Sequence, residues 1–332
     1  MTRRHVVVLT TGGTIASEPS ASGLNISGAM SGEALLARVA LPGSDNLTVE
    51  VRSILQKPSN AVDLVDLVAM ARECERLARD PGVDGIVVTH GTDTLEETAH
   101  FLDITVALER CALVVTGSQR APHEAGSDAY SNLAGAISVA AEPAMAGLGV
   151  TVVFNESIYA ARHVRKLNSY QLQGFGAPGY GPLGYVDGGR VHLAQVPRRA
   201  APLPLGDALP RVDILAVYLG ASPDLVDAVV AGGARGLIID GLGRGHVPPT
   251  WLDAIARAVA AGLPVLVVSS CQEGPVNTRY EFPGSLASLE ACGAVAVRDL
   301  SARKARLTLA VLLSSAADDD IATRIEHTMS RP

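Results

Sequence analysis

Short runs of aliphatic and β-branched residues recur along this chain with few polar residues inside them. His5–Thr10, Thr48–Ile54, Gly85–Thr89, Ala112–Thr116 and Val150–Phe154 make a first set. Ile214–Leu219, Gly236–Ile239 and Pro264–Val268 make a second. Continuous rather than alternating hydrophobicity marks strands buried on both faces of a parallel sheet. Parallel neighbours need long crossovers, normally helices. The sequence supplies them: Leu67, Ala71, Cys74 and Ala78 fall on one helical face, and Asp128–Ala141 and Trp251–Ala261 carry similar patterns. The βαβα order predicts an α/β fold of doubly wound parallel-sheet domains.

The 332-residue length predicts two domains. Residues 172–204 are rich in Gly and Pro, and within them Tyr185–Val191 reads as a hairpin turning at Asp187-Gly188. Val196–Pro204 reads as a linker, and a fresh α/β pattern starts near Val212. The expected division is a larger N-terminal domain over 1–196 with the catalytic residues, a linker over 197–211 and a smaller C-terminal α/β domain over 212–332. Hydrophobic residues make up 48% and aromatic residues only 4%, so Val, Ala, Leu and Ile must build the core. The net charge of −7 speaks against a nucleic-acid partner. The four cysteines lack C-x-x-C spacing, which suits buried thiols in a reducing compartment. Val6–Leu9 is too short for a signal-peptide core, and no apolar stretch reaches the ~20 residues of a membrane span. The expected compartment is the cytoplasm.

In sheets of this kind ligands gather at the C-terminal ends of the strands. The first strand runs into Thr10-Thr11-Gly12-Gly13-Thr14-Ile15-Ala16-Ser17. Two glycines permit a sharp turn and close approach to a ligand, and a hydroxyl follows at once. A plain strand-ending turn fits equally well, while neither phosphate-binding glycine pattern is present. The third strand runs into His90-Gly91-Thr92-Asp93-Thr94-Leu95-Glu96-Glu97. Thr94 and Glu97 fit a capping box, so a helix is expected to start here, with amide groups able to hold an anion or oxyanion. Capping accounts for Thr94 but not for Thr92 and a carboxylate beside it. Lys166, in Arg162-His163-Val164-Arg165-Lys166, reads by itself as an ordinary surface lysine.

Together, TTGGTIAS (10–17) and VVTHGTDTLEETA (87–99) resemble the two signature segments of the bacterial-type L-asparaginase family. The resemblance runs the length of the chain, through Gly241–His246, Val268–Cys271 and Lys304–Arg306. It implies hydrolysis of the side-chain amide of asparagine to aspartate and ammonia through a covalent acyl-enzyme. Thr14 matches the family's primary nucleophile, Thr92 and Asp93 the second-motif pair, and Lys166 the active-site lysine. A threonine hydroxyl needs a base to take its proton, and a desolvated lysine can serve. Asp93 suits the α-ammonium of an amino acid. Ser59, with Asn60 beside it, matches the site for the α-carboxylate, and Gly13 and Gly91 border the substrate. The resemblance further implies that Glu281 reaches the substrate from a neighbouring subunit of a homotetramer, a dimer of dimers. His246 stands where a family member can carry an asparagine. No cofactor or metal is expected, since no ligand set is visible and His90 has no partner at metal spacing.

One departure stands out. The family places a tyrosine in the mobile loop about ten residues after the nucleophile, where it helps activate the threonine. Here Leu24 or Asn25 takes that place and residues 17–28 contain no tyrosine. A tyrosine from elsewhere, a loop serine such as Ser22 or Ser27, or a water would have to substitute. Three other readings remain beside the asparaginase. A glutaminase-asparaginase of broad specificity differs by one methylene of substrate, worth about 1–3 kcal/mol in a pocket. An amino-acid-binding regulatory protein would keep the pocket and lose turnover. A tRNA-amidotransferase subunit shares a related core, but the acidic chain opens directly on its first apolar run.

Overall fold

A computed structural model describes residues 3–41, 46–315 and 321–329. The chain divides into two compact units, Met1–Pro202 and Leu203–Pro332.

The first unit runs β1 (Arg4–Thr10), β2 (Glu18–Pro19), β3 (Asn25–Ile26), α1 (Gly32–Leu36), β4 (Leu47–Ser53), α2 (Leu64–Arg79), β5 (Gly85–Thr89) and α3 (Leu95–Thr105). It continues with β6 (Ala112–Thr116), α4 (Ala129–Ala141), β7 (Val150–Phe154), β8 (Ser157–Ala160), β9 (Arg165–Lys166), β10 (Phe175–Gly176), β11 (Gly184–Asp187) and β12 (Arg190–Leu193). Eight strands form one sheet in the order β12-β11-β8-β7-β6-β5-β1-β4. The five strands from β4 to β7 in sheet order are parallel; β1, β5, β6 and β7 carry the buried, largely apolar runs, whereas the edge strand β4 alternates Leu47, Val49 and Val51 with Thr48, Glu50 and Arg52. On one face Val6, Val8, Val87, Val114 and Val153 pack with Leu35 of α1 and with Leu133, Ala136, Ile137 and Ala140 of α4. Their sequence neighbours Val7, Leu9, Ile86, Val88 and Val115 point the other way and are equally buried. The α2 helix starts on a reciprocal capping box between Asp63 and Asp66. It buries Leu67, Ala71 and Cys74, three of the four residues expected on its inner face.

The structure extends and corrects two details. The sheet does not end with its parallel strands. The chain turns back through Asn155 and Glu156, at φ 47° and 64°, into antiparallel β8. A two-residue turn with both φ angles positive is the hairpin type whose twist matches its strands, but it usually announces itself with glycine, which is absent here. The hairpin near 185–191 is present as β11–β12, yet its turn is Gly188-Gly189, with φ 54° and 80°, because Asp187 pairs with Arg190.

The second unit runs β13 (Val212–Ala216), α5 (Asp224–Ala231), β14 (Gly236–Gly241), α6 (Leu252–Ala260), β15 (Val265–Ser269), α7 (Leu286–Ala291), β16 (Val295–Ala296), α8 (Ala302–Ser314) and α9 (Ile321–Met329). Its four strands are parallel in chain order. Val226, Ala254, Ile255, Leu286 and Leu289, from α5, α6 and α7, share one core with Leu237, Ile239 and Val267. Ala305 and Leu309 of α8 and Ile325 of α9 share another with Ile238, Leu266 and Val268. Helices therefore cover both faces. The strand expected at Ile214–Leu219 ends at Ala216, and Leu219 is fully exposed. An apolar run cannot by itself tell a buried strand from exposed apolar residues that follow it.

Among the described residues no helix is long and apolar enough to cross a membrane. All four cysteines are free. Cys74 and Cys111 are buried as expected, but Cys271 is exposed and Cys292 partly so.

Candidate active site

From β1 the chain crosses to β4 on one side and from β4 returns to β5 on the other. The crossovers diverge there, so the ends of β1 and β5 border the crevice where open α/β sheets bind ligands. Both signature segments leave the sheet at this point.

Their backbones lie against each other. Thr11 donates to the Thr89 carbonyl from its amide at 3.2 Å and from its hydroxyl at 2.8 Å. A Cβ added to Gly13 would sit 2.5 Å from both Cα and N of Gly91, and one added to Gly91 would sit 2.8 Å from Ser59 Cβ. Only residues without side chains allow the turns at 13 and 91 and the short helical turn Ser59–Ala61 to meet this closely. The Lys57 amide donates to the Thr11 carbonyl at 3.0 Å and holds that third segment to the first.

Thr14 opens a short 3-10 turn over Thr14–Ala16, directly after Gly13. Its side chain is partly exposed, and its hydroxyl makes no hydrogen bond among the described residues. Thr92 is 6% exposed, and its hydroxyl accepts from Lys166 Nζ at 2.8 Å. The same ammonium donates to Asp93 Oδ1 at 2.7 Å. Lys166 is therefore no solvated surface lysine. β9 brings it across 73 residues of sequence to the start of α3, and Glu96 Oε2 accepts its backbone amide at 2.6 Å. Most of the Asp93 side chain remains open to a ligand.

Ser59 is buried, and its Oγ accepts from the Asp93 amide at 3.3 Å. Asn60 beside it is exposed. The expected capping box at Thr94 is absent: Thr94 precedes α3 but makes no side-chain cap. Its hydroxyl donates instead to the Ser59 carbonyl at 2.9 Å. A tertiary partner within reach has displaced the local one. His90 is fully buried, with Nδ1 2.8 Å from the Gly91 carbonyl and Nε2 3.1 Å from the Thr98 hydroxyl. Both ring nitrogens are thus occupied, and burial holds its pKa below the ordinary histidine value.

The loop after Thr14 is a small hairpin, β2 against β3. Leu24 is 73% exposed, and Asn25 Nδ2 donates to Glu124 Oε1 at 3.1 Å. Ser22 hydrogen-bonds Ser20 at 2.8 Å, whereas the buried Ser27 hydroxyl has no partner among the described residues. Gly28 packs on the nucleophile segment: a Cβ there would lie 3.3 Å from Gly12 Cα. Glu281 belongs to the second unit and is exposed.

The family profile described as Asparaginase, N-terminal matches residues 5–199, and Glutaminase/Asparaginase C-terminal domain matches 211–325. An L-asparaginase of Bacillus licheniformis is 42% identical over 312 residues, 94% of this chain and 96% of that protein. The chain belongs to the asparaginase family. A probable L-asparaginase of Deinococcus radiodurans is 36% identical, over 97% of this chain and 96% of that one. Among solved structures, a probable cytoplasmic L-asparaginase from Campylobacter jejuni superposes with a TM-score of 0.87 at 28% identity. That comparison covers 99% of this chain and all of the other. The two-domain α/β architecture is therefore that of the asparaginases, with a larger N-terminal and a smaller C-terminal domain.

Proposed function

We propose that the protein hydrolyses the side-chain amide of L-asparagine to L-aspartate and ammonia, with Thr14 as nucleophile. The observation that carries this reading is the Thr92–Lys166–Asp93 chain at 2.8 and 2.7 Å, set at the same switch point as Thr14. The Thr14 hydroxyl, which has no partner among the described residues, is free to approach an amide carbon. Lys166 donates to the Thr92 oxygen, which leaves the Thr92 proton to point away from the lysine and into the crevice. In the first step Thr14 Oγ1 gives up its proton as it bonds to the amide carbon, the C–N bond breaks, and that proton passes to the leaving nitrogen, which departs as ammonia. In the second step water attacks the ester, its hydroxyl joins the acyl carbon, the bond from that carbon to Thr14 Oγ1 breaks, and the remaining proton of the water passes to Oγ1. Asp93 pairs with the α-ammonium of the substrate. Ser59, Asn60 and the amides beside Gly13 and Gly91 receive its α-carboxylate. None of these steps calls for a metal or cofactor.

Ser27 takes the place of the missing tyrosine in this reading. Among the described residues its hydroxyl is buried without a partner, next to the turn that packs on Gly12, while Ser22 is already bonded to Ser20. The working unit is an oligomer, a tetramer of paired dimers, in which Glu281 completes a neighbour's site. Exposed apolar residues on the second unit support association: Tyr280 and Phe282 meet the His246 ring edge-on, and Tyr218, Leu219 and Leu242 of the same unit are exposed. The compartment in this reading is the cytoplasm.

Ammonia release from L-asparagine, L-glutamine and D-asparagine, without added metal, tests the activity. Adduct mass on the intact protein tests the nucleophile: Thr14→Ala abolishes the acyl-enzyme. One observation favours a second reading, because Thr92 rather than Thr14 is the threonine bonded to the lysine. An adduct that survives Thr14→Ala and vanishes in Thr92→Ala would exchange the two roles.

A further inference from the structure

Lys166 is held at both ends by one five-residue segment. Thr92 and Asp93 receive its ammonium at 2.8 and 2.7 Å, and Glu96, one turn further along, receives its backbone amide at 2.6 Å. Glu96 is only 5% exposed. A carboxylate is expensive to bury unless it is hydrogen-bonded, and the start of α3 is a favourable place for its charge. Among the described residues its hydrogen-bond partner is the Lys166 amide. Nothing in the chemistry at Thr14 or Thr92 uses this carboxylate.

A second grip closes on the turn that follows the lysine. The amides of Leu167 and Asn168 donate to the Gly174 carbonyl at 2.8 and 3.2 Å, which folds residues 166–175 into a tight loop. Gln119 Nε2 donates to two carbonyls of that loop, Asn168 and Gln171, each at 3.0 Å. Its side chain lies so close that a Cβ on Gly174 would fall 2.3 Å from Nε2. Gln119 is itself fixed by the buried Asp128, whose carboxylate accepts its backbone amide at 3.0 Å.

We propose that Glu96 and Gln119 are positioning residues that clamp the backbone around Lys166 and so aim its ammonium at Thr92. The clamp rests on Lys166 having the role given above. A lysine side chain has four rotatable bonds, and its two polar contacts hold only the tip. With the backbone end released, the tip and the Thr92 hydroxyl are no longer held in register.

The test uses the full-length protein and ammonia release from L-asparagine. Glu96→Ala is expected to lower kcat by about 100-fold, the cost of roughly 1 Å of misplacement, with KM changed by no more than about threefold. Glu96→Gln keeps an acceptor for the amide and restores most of the rate. Gln119→Ala, at a half-exposed position, lowers kcat by about tenfold, a smaller misplacement. Adding Glu96→Ala to Lys166→Ala slows the enzyme no further, because the carboxylate acts through the lysine. A Glu96→Ala enzyme with parental kcat overturns the proposal, as does an equal slowing in the presence and absence of Lys166. Should Glu96→Ala fail to fold, Gln119→Ala decides, and parental kcat there overturns the clamp. If Lys166→Ala itself keeps parental activity, the role of the lysine falls. If Lys166→Ala is inactive and Glu96→Ala is not impaired, only the clamp falls.

Discussion

Gly13→Ala puts the close approach at the switch point under direct strain. Gly13 has φ 81° and ψ −177°, a region populated almost only by glycine, which costs a substituted residue about 1–3 kcal/mol. The added Cβ would also lie 2.5 Å from Gly91 Cα and N. Carbon atoms rest at about 3.5–4.0 Å, so the contact is about 1 Å too short. Both sides are backbone, and no rotamer change relieves it. The two signature segments must therefore separate by about 1 Å, which moves Thr14 away from Thr92. A misplacement of that size costs about 100-fold in rate, so kcat/KM for ammonia release is expected to fall by about two orders of magnitude. Gly262→Ala is the control. Its φ is 82° and a Cβ there meets open space, so it should lose stability from the backbone alone and keep its activity. Urea unfolding of the two variants separates strain from separation. The reasoning is refuted if Gly13→Ala keeps kcat/KM within about threefold of the parent, because the predicted 1 Å shift would then carry no penalty.

Three further outcomes follow from single features. His90 is buried and its pKa lowered, so the unfolded chain binds a proton there more readily than the folded one. Its contribution to stability is full above about pH 6.5 and is lost as pH falls toward the lowered value; urea titrations show a shallower acid-side decline in His90→Gln. Asp63→Ala removes one half of the α2 capping box and is expected to cost about 1 kcal/mol in urea unfolding. A thiol reagent is expected to modify Cys271 in the folded protein and to spare Cys74 and Cys111, which peptide mapping reads out. Both of those thiols are buried, and burial pushes Cys111 up to about 12.

The parallel strands were legible because burial on both faces leaves only one kind of side chain inside them. Gly85–Thr89, Ala112–Thr116 and Val150–Phe154 have the bounds read from their apolar runs. The antiparallel edge was hidden: β8 is four residues long and its turn is Asn-Glu, where hairpin chemistry expects glycine. The same contrast runs through the site. Gly13, Thr14, Thr92 and Asp93 could be singled out because each signature segment is contiguous in the chain. Of their partners, Lys166 and Ser59 are marked only by the family resemblance, and Glu96 and Gln119 by nothing local in the sequence. Thr94 fits a cap by spacing, yet its hydroxyl turns to Ser59, 35 residues away. Lys166 looks like a surface lysine until β9 carries it to Thr92, and Glu96 and Gln119 lie 70 and 49 residues from the backbone groups they bind.

These long separations have a common physical origin. A parallel sheet sends each strand end back through a helix, so residues from different strand ends that meet at its C-terminal edge are tens of positions apart. Short-range patterns report what can be capped or turned locally. A polar group at the edge instead takes whichever partner the topology brings within reach, because leaving it buried and unpaired costs more than giving up a cap. Thr94 shows that preference directly: its helix begins without a side-chain cap, and its hydroxyl holds the Ser59 carbonyl at the crevice. In this fold, a polar residue that abandons its local role at a strand end therefore points toward the functional site.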